Sequence, residues 1–381
     1  VTGVQTCALP IFHERGSGVT WGAGVEVRGG AMACWTVDPE GLSLWLDLRS
    51  GDAPVVPGDR PIEAATIRMV RGAERPFAVQ GALTAALCAD PLLPPEPLVG
   101  ANDWYYAYGK GFDASAVVRD ARTIAELAGD HPVRPFGVVD DGWSAHSMAA
   151  GRRATAGPWD AVRSPAFGPM AELAAAVRAE GVRPGIWIRP LLTIDPTHPG
   201  VLQPRDGAFA LDPSHPATLA TVAADIRRLA SWGFELIKHD FSTYDALGRW
   251  GSAMGASVTG RGWRAANDPG PARGQPAADP TRTNAETLVA LYRTIRDAAG
   301  DALVLGCDVI GHLAAGLVHA QRTGDDTSGL EWERTRRVGG NTLAFRLAQH
   351  GRFFALDADC VASTPATPWP RNRAFLDLVA R

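Results

Sequence analysis

A strand-like segment in the middle of the chain ends in a cation and a carboxylate. Residues 236–241 read Leu-Ile-Lys-His-Asp-Phe, and strand alternation would put Lys238 and Asp240 on one face. A nearby cation keeps a carboxylate ionised, as a nucleophile requires. His239 should point the other way, as a packing side chain against helices. The alternative reading of Lys238 and Asp240 is a structural ion pair at the end of the strand.

A second motif places two carboxylates beside an arginine. Residues 322–327 read Arg-Thr-Gly-Asp-Asp-Thr, a combination that suits proton transfer and hydroxyl binding. A general acid must carry a proton near neutral pH, and both partial burial and a nearby anionic Asp240 would favour that state. The alternative is a polar loop in which Asp325 and Asp326 are both solvated.

A third motif, Val-Val-Asp-Asp-Gly-Trp at 138–143, delivers Asp140, Asp141 and Trp143 to the end of a predicted strand. Carboxylates accept hydrogen bonds from neighbouring hydroxyls, and an indole can pack against the C–H face of a sugar ring. Because Asp-Asp-Gly is also good turn chemistry, a solvated turn stays open as an explanation.

The elements that must position these motifs alternate between strands and helices from about residue 102 onward. The pattern predicts a first strand at 104–108, helices at 114–128 and 284–299, and a helix at 333–349 that an internal Gly-Gly pair weakens. Seven such units predict parallel strands joined by crossover helices, which fits a doubly wound sheet or a closed barrel. The barrel is favoured because four aspartates fall at the C-terminal ends of predicted strands, and those ends meet at one face of a barrel. They are Asp140, Asp240, Asp308 and Asp326. We therefore predict an α/β fold, an incomplete (β/α)8 TIM barrel with about seven strands.

The rest of the chain suggests three regions. Residues 1–12 look like a non-native leader, and 13–98 like the remnant of an antiparallel β-sandwich domain that ends in a proline-rich linker. Residues 99–381 form the catalytic barrel without its last strand, so we expect a fragment truncated at both ends. Such a barrel exposes strand edges, and we expect the isolated chain to fold poorly or to self-associate.

Composition excludes several classes of partner and cofactor. Lys plus Arg number 37 against 41 Asp plus Glu, which argues against nucleic acid as a partner. No apolar stretch is long enough to span a membrane. The five cysteines and nine histidines follow no disulfide or zinc-site spacing. Neither a metal nor an organic cofactor is expected, and the compartment stays open, with cytoplasm slightly favoured over secretion.

A Gly/Pro/Ala-rich segment occupies residues 248–282. A loop of that length is uncommon unless it is a lid or a flexible insertion. Trp250 and Trp263 within it could stack on a sugar ring, or they could be incidental aromatics, and both interpretations stay open.

The three motifs, in this order at successive strand ends, resemble those of the melibiase-type α-galactosidases, glycoside hydrolases of families 27 and 36. The match is closer to family 36 and runs from about Trp104 to Cys360. The resemblance implies that Asp240 is the nucleophile and Asp326, rather than Asp325, the general acid/base. It implies substrate binding by a larger set of residues, namely Asp140, Asp141, Trp143, Trp104, Trp187, Lys238, Arg322 and Asp308.

The function implied is that of a retaining, exo-acting α-glycosidase, an α-galactosidase above all, that hydrolyses terminal galactosides by double displacement. The two catalytic carboxyl groups should then lie about 5–5.5 Å apart, against about 6.5–9.5 Å in an inverting enzyme. The alternatives are a raffinose-family α-galactosyl transferase, an α-N-acetylgalactosaminidase and, from another class, an inactive carbohydrate-binding protein. The expected partner is an oligosaccharide or glycoside, and the full-length parent could be a homo-oligomer.

Two positions depart from the family pattern. Arg189 precedes Pro190 where many relatives have an acidic residue, and Cys307-Asp308 differs from some members at the end of the fifth strand. Both positions should border the sugar, so the sequence leaves the identity of the sugar open.

Overall fold

The computed structural model describes residues 10–39, 41–73, 75–248, 277–362 and 364–380. Most of the predicted leader lies outside these ranges, as do Trp250 and Trp263. Across the described helices, none is long and apolar enough to cross a membrane.

Short antiparallel strands and one helix make up the N-terminal region, as the strand-rich sequence predicts. Three strands pair in the order β1-β2-β7, and two further pairs are hairpins, β3 with β4 and β5 with β6. Their bounds are β1 (Ile11–His13), β2 (Thr20–Val25), β3 (Met32–Asp38), β4 (Gly41–Asp47), β5 (Arg49–Ser50), β6 (Ala53–Pro54), β7 (Ile67–Gly72) and helix α1 (Pro76–Leu87). Buried side chains of α1, such as Leu83 and Leu87, belong to the same hydrophobic core as the barrel.

The rest of the described chain is built around seven parallel strands, which confirms the incomplete barrel. Adjacent strands pair in the order β8-β9-β10-β14-β15-β16-β17, and every pairing is parallel. Their bounds are β8 (Gly100–Asn102), β9 (Phe136–Val139), β10 (Arg183–Ile188), β14 (Leu236–His239), β15 (Leu303–Gly306), β16 (Ala320–Arg322) and β17 (Ala355–Asp357). Between β10 and β14 a small antiparallel sheet intervenes, with β11 (Leu192–Thr193), β12 (Val201–Arg205) and β13 (Ala208–Leu211) in the order β11-β13-β12.

The first barrel strand lies earlier than the sequence predicts. We expected it at 104–108, but that segment is the short helix α2 (Trp104–Ala107). The Asn102 side chain accepts a hydrogen bond from the Trp104 N–H (2.8 Å), a local turn that ends the strand and starts the helix.

The crossover helices largely follow the predicted segments. They are α3 (Ala114–Ala128), α4 (Met170–Ala179), α5 (Pro216–Ser231), α6 (Ser242–Leu247), α7 (Asn284–Ala299), α8 (Gly311–Ala314), α9 (Trp332–Arg334), α10 (Asn341–Arg346) and α11 (Trp369–Val379). Asp113 caps α3, and Thr283 with Glu286 forms a capping box on α7. The helix predicted at 333–349 is interrupted by a π-helical turn at Thr335–Gly340, which contains the weak Gly339-Gly340 pair.

On one face of the barrel strands, the side chains near the strand starts are apolar and those near the C-terminal ends are polar. Phe136, Leu236 and Leu303 pack together near the strand starts, apart from the main core. Lys238 lies two residues after Leu236 on the same face of β14, and Asp240 follows two residues later, directly after the strand. The strands therefore hold their polar side chains together at the C-terminal end of the barrel.

Candidate active site

Lys238 and Asp140 form a buried ion pair at the centre of this polar layer. The Lys238 Nζ lies 2.7 Å from Asp140 Oδ2, and both side chains are almost fully buried. Burial alone would lower the pKa of Lys238, but the negatively charged neighbours, Asp140 first among them, together outweigh that effect and raise it. The sequence predicted a direct effect of Lys238 on Asp240, but the ammonium contacts Asp140. It acts on Asp240 only through space.

Asp140 is held rigidly by groups from neighbouring strand ends. Its Oδ2 also accepts a hydrogen bond from Asn102 Nδ2 (2.6 Å), and its Oδ1 accepts the Asp141 backbone N–H (2.9 Å). The Asp140 N–H donates in turn to Asp103 Oδ1 (2.9 Å). The carboxylate therefore keeps one orientation toward the barrel axis.

Asp141 is buried beside the Asp140 charge. Burial, aided by the negative charges of Asp140 and Asp240, raises the pKa of Asp141 to about 7, although the Thr155 hydroxyl donates to its carboxylate. This side chain can therefore exchange a proton near neutral pH and form hydrogen bonds of either sense with a hydroxyl.

Asp240 emerges directly after β14 and is partly exposed. Its Oδ1 accepts the Phe241 backbone N–H (2.7 Å), and its Oδ2 accepts Trp187 Nε1–H (3.2 Å). Two N–H donors from different elements thus fix the orientation of the carboxylate.

Asp308 follows β15 and lies close enough to Asp240 to respond to its charge. Burial and the Asp240 charge raise the pKa of Asp308 to about 7, and its Oδ2 accepts the Tyr244 backbone N–H (3.0 Å). Asp141 and Asp308 thus both respond to the charge of Asp240.

Arg322, at the end of β16, bridges two carboxylates. One of its terminal nitrogens lies 2.9 Å from Asp326 Oδ1 and 2.9 Å from Asp359 Oδ2. Asp326 keeps 42% of its side chain exposed, so it can still meet a ligand. Asp325 instead turns outward to Arg334 (2.8 Å), which favours Asp326 over its neighbour as the functional carboxylate.

Cys307 directly follows β15 and lies beside Arg322. Its Sγ is 3.8 Å from Arg322 Nη1, and the charges of Lys238, Arg322 and Asp240 all act on its thiol. Burial raises the pKa of this thiol well above the usual value for cysteine, so the group stays neutral.

The three tryptophans that the sequence assigned to substrate binding differ in their surroundings. Trp143 is completely buried, packs on Trp159 and Trp232, and donates its Nε1–H to the Trp187 carbonyl (2.9 Å). It presents no face to a ligand, so the expectation that it stacks on a sugar is wrong. Trp187 is only 2% exposed and meets Asp240 through its N–H rather than offering its ring. Trp104 is half-buried and packs edge-on against Tyr108.

Sequence reasoning missed several residues of this site. Asp359 accepts hydrogen bonds from Tyr105 Oη and from the Thr327 N–H (2.7 Å), besides its ion pair with Arg322. Tyr105 follows the first barrel strand and Asp359 follows the last, so this contact joins the two ends of the seven-stranded sheet. The available signal was their position just beyond strand ends, which is the property that identified the other aspartates.

His239 packs beside a helix rather than joining the acidic side chains. His239 is fully buried on the helix side, where its Nδ1 meets Ser242 Oγ (2.9 Å) and its ring lies near Tyr292. Burial lowers the pKa of His239 to about 3, so it is a neutral packing side chain, as predicted. Within the described ranges, no three His, Cys, Asp or Glu side chains are grouped as metal ligands.

The fold and the site together define an α/β barrel with an acidic cluster at the C-terminal ends of its strands. No family model matches the chain, and no curated protein is similar to it in sequence. Solved structures, however, share its fold, and α-galactosidases are among them.

One is TtGalA, an α-galactosidase from Thermus thermophilus, with a TM-score of 0.62, 19% identity, and coverage of 97% of this chain and 69% of that protein. Another is the family 36 α-galactosidase AgaA from Geobacillus stearothermophilus, with a TM-score of 0.54, 14% identity, and coverage of 97% and 54%. A third, from Lactobacillus brevis, has a TM-score of 0.55, 15% identity, and coverage of 94% and 48%. The chain thus has the fold of these α-galactosidases and spans about half to two thirds of their length.

Proposed function

We propose that this chain carries the catalytic barrel of a retaining, exo-acting α-glycosidase that acts on terminal α-linked galactosides. The observation that carries the proposal is a pair of partly exposed carboxylates, Asp240 and Asp326, each fixed by its own donors at the C-terminal end of a barrel strand. Active sites of barrel enzymes lie at this end.

In the first step, an Asp240 oxygen attacks the anomeric carbon as the bond to the leaving oxygen breaks. The Trp187 and Phe241 N–H groups aim the Asp240 carboxylate. Asp326 transfers its proton to the leaving oxygen, which departs as an alcohol, and the sugar stays esterified to Asp240.

In the second step, Asp326 takes a proton from water, and the resulting oxygen attacks the anomeric carbon. The bond to Asp240 breaks, and Asp326 is protonated again. Arg322 orients Asp326 during both steps, and Asp359 shares the guanidinium at the same distance (2.9 Å).

The remaining polar groups suit a sugar ring with several hydroxyls. Asp140, Asp141 and Asp308 offer acceptors, and Lys238 offers a donor beside them. Trp104 can pack on the ring face. Galactose is the sugar proposed because the neighbour from Thermus thermophilus was solved with p-nitrophenyl α-D-galactopyranoside and with stachyose.

A panel of p-nitrophenyl α-glycosides tests the proposal. Turnover should be highest for the α-galactoside, and proton NMR should show α-galactose as the first product, since double displacement retains configuration. Asp240→Ala should abolish turnover, whereas Asp325→Asn, which changes the outward carboxylate, should stay within about twofold of the unaltered chain.

Substrates with different leaving groups distinguish the role of Asp326 from that of Asp240. Asp326→Ala should slow hydrolysis of stachyose far more than that of p-nitrophenyl galactoside, because nitrophenolate needs little proton assistance. Full activity of Asp240→Ala, or β-galactose as the first product, would refute the mechanism. Sugar binding without turnover would favour an inactive carbohydrate-binding protein.

A further inference from the structure

Arg189 is a buried arginine just beyond the end of β10. It is 3% exposed and makes two parallel hydrogen bonds to Asp245, Nε to Oδ2 (2.8 Å) and a terminal nitrogen to Oδ1 (2.7 Å). The same nitrogen also reaches Asp206 Oδ2 (2.9 Å). Its hydrogen-bonding capacity is therefore largely used within the protein.

The guanidinium of Arg189 also covers the residue that follows Asp240. Its Cζ lies 4.2 Å from the centre of the Phe241 ring. The Asp245 N–H donates to the Phe241 carbonyl (2.8 Å), so Asp245 is tied to Phe241 from the other side. Arg189 and Asp245 therefore both contact Phe241.

That residue has an unusual backbone. Phe241 has φ 59° and ψ 8°, the left-handed region that bulky side chains rarely occupy. Such a conformation persists only where the surroundings enforce it. It matters here because the Phe241 N–H donates to Asp240 Oδ1 (2.7 Å). With β14 before this peptide and α6 after it held in place, φ could return to an ordinary value only through a flip of the peptide between residues 240 and 241, which would turn this donor away.

We propose that Arg189 is a positioning residue for Asp240. Together with Asp245 it holds Phe241 in the left-handed conformation and thereby fixes the N–H that orients the Asp240 carboxylate. This inference rests on the proposed function for its kinetic consequence, but its structural part stands on the contacts alone. It also gives a role to an arginine at a position where the sequence suggested a contact with the sugar.

The test variant removes both charges at once. Arg189→Met alone would leave the buried Asp245 with only the more distant Arg205 (3.9 Å) as a counter-charge, which would destabilise the whole fold. The double variant Arg189→Met with Asp245→Asn avoids this. Its matched control, Arg183→Met with Glu235→Gln, removes an arginine at the start of β10 that also covers a phenylalanine ring (4.3 Å) and pairs with a carboxylate (2.8 Å).

We expect kcat for p-nitrophenyl α-galactoside to fall by about 10- to 100-fold in the Arg189 and Asp245 variant, because small displacements of a reacting group have effects of this size. KM should change by less than about threefold, since no group that contacts the sugar is removed. Adding Phe241→Gly should restore at least about fivefold of the lost kcat, because glycine adopts positive φ without strain. The control should keep kcat within about twofold.

Hydrogen exchange of the Phe241 amide provides a readout that does not depend on turnover. It should accelerate by at least about tenfold in the Arg189 and Asp245 variant and stay unchanged in the control. If the unaltered chain is folded, as its amide protection reports, and hydrolyses no glycoside, the proposed function fails, and amide exchange at Phe241 still decides this inference. An unchanged exchange rate would overturn it, as would a loss of kcat that Phe241→Gly does not relieve.

Discussion

Replacement of Asp141 by asparagine should stabilise the protein at neutral pH while it weakens activity. Asp141 is 6% exposed, and burial beside the charges of Asp140 and Asp240 raises its pKa to about 7. In the unfolded chain the same carboxyl has a pKa near 3.8. Between these two values the folded state binds a proton that the unfolded state releases, so stability falls as pH rises.

The size of the effect follows from the pKa difference. About three pKa units, at about 1.4 kcal/mol each, correspond to about 4 kcal/mol once the pH exceeds 7. Asparagine carries no charge in either state and can still accept the hydrogen bond from the Thr155 hydroxyl. The advantage of Asp141→Asn should therefore be near zero at pH 4, grow through pH 5 and 6, and level off at about 4 kcal/mol above pH 7.

Urea denaturation of both proteins at pH 4, 5, 6 and 8 measures this difference. A control is Asp195→Asn, because Asp195 is exposed and a hydrogen bond from Thr197 lowers its pKa. The control should show no stabilisation at any of these pH values. An Asp141→Asn advantage that does not grow with pH, or a variant less stable than the unaltered chain at pH 8, would refute the reasoning.

Three further changes test other parts of the structure. Trp143→Phe should lower the free energy of unfolding by about 2 kcal/mol through lost packing and a lost hydrogen bond, with KM unchanged, whereas Trp104→Ala should raise KM several-fold; urea denaturation and steady-state kinetics compare them. His239→Gln should gain stability over the unaltered chain as pH falls from about 6.5 toward 4. The buried imidazole, whose pKa is lowered to about 3, cannot take the proton that the unfolded chain accepts. Urea denaturation of both proteins at pH 7 and pH 4 measures this gain, and an unchanged difference in the free energy of unfolding between the two pH values would contradict it. Tyr105→Phe should lower kcat several-fold, because its hydroxyl helps to fix the carboxylate that shares Arg322, while Tyr106→Phe, which loses an exposed hydrogen bond, should not; equal kinetics for the two variants would contradict the assigned contact.

The barrel could be predicted because its information is local. Each helix carries its own period and its own cap, so Ala114–Ala128 and Asn284–Ala299 were predicted with their observed bounds. The strands carry apolar runs that end in an aspartate, and parallel topology then brings the C-terminal ends together. The first strand was misplaced because the Asn102 turn, rather than the aromatic run at 104–108, determines where it ends.

The partners of each site residue could not be predicted in this way. Lys238 and Asp240 are two residues apart, yet Lys238 pairs with Asp140, which is 98 positions away in the sequence. Trp143 adjoins the acidic motif, yet its indole turns into the core. A short motif states which groups reach a strand end, but not which neighbour each one meets.

The sequence by itself determined the alternation of strands and helices and the acidic strand ends from which the chemistry is proposed, because these depend on residue types at short spacing. Only the tertiary structure decided that Arg322 is shared by Asp326 and Asp359, that Tyr105 joins the first strand end to the last, and that Arg189 lies over Phe241. These contacts join segments far apart in the sequence. The physical reason is that curvature of the sheet, rather than spacing along the chain, sets the distances across the barrel mouth.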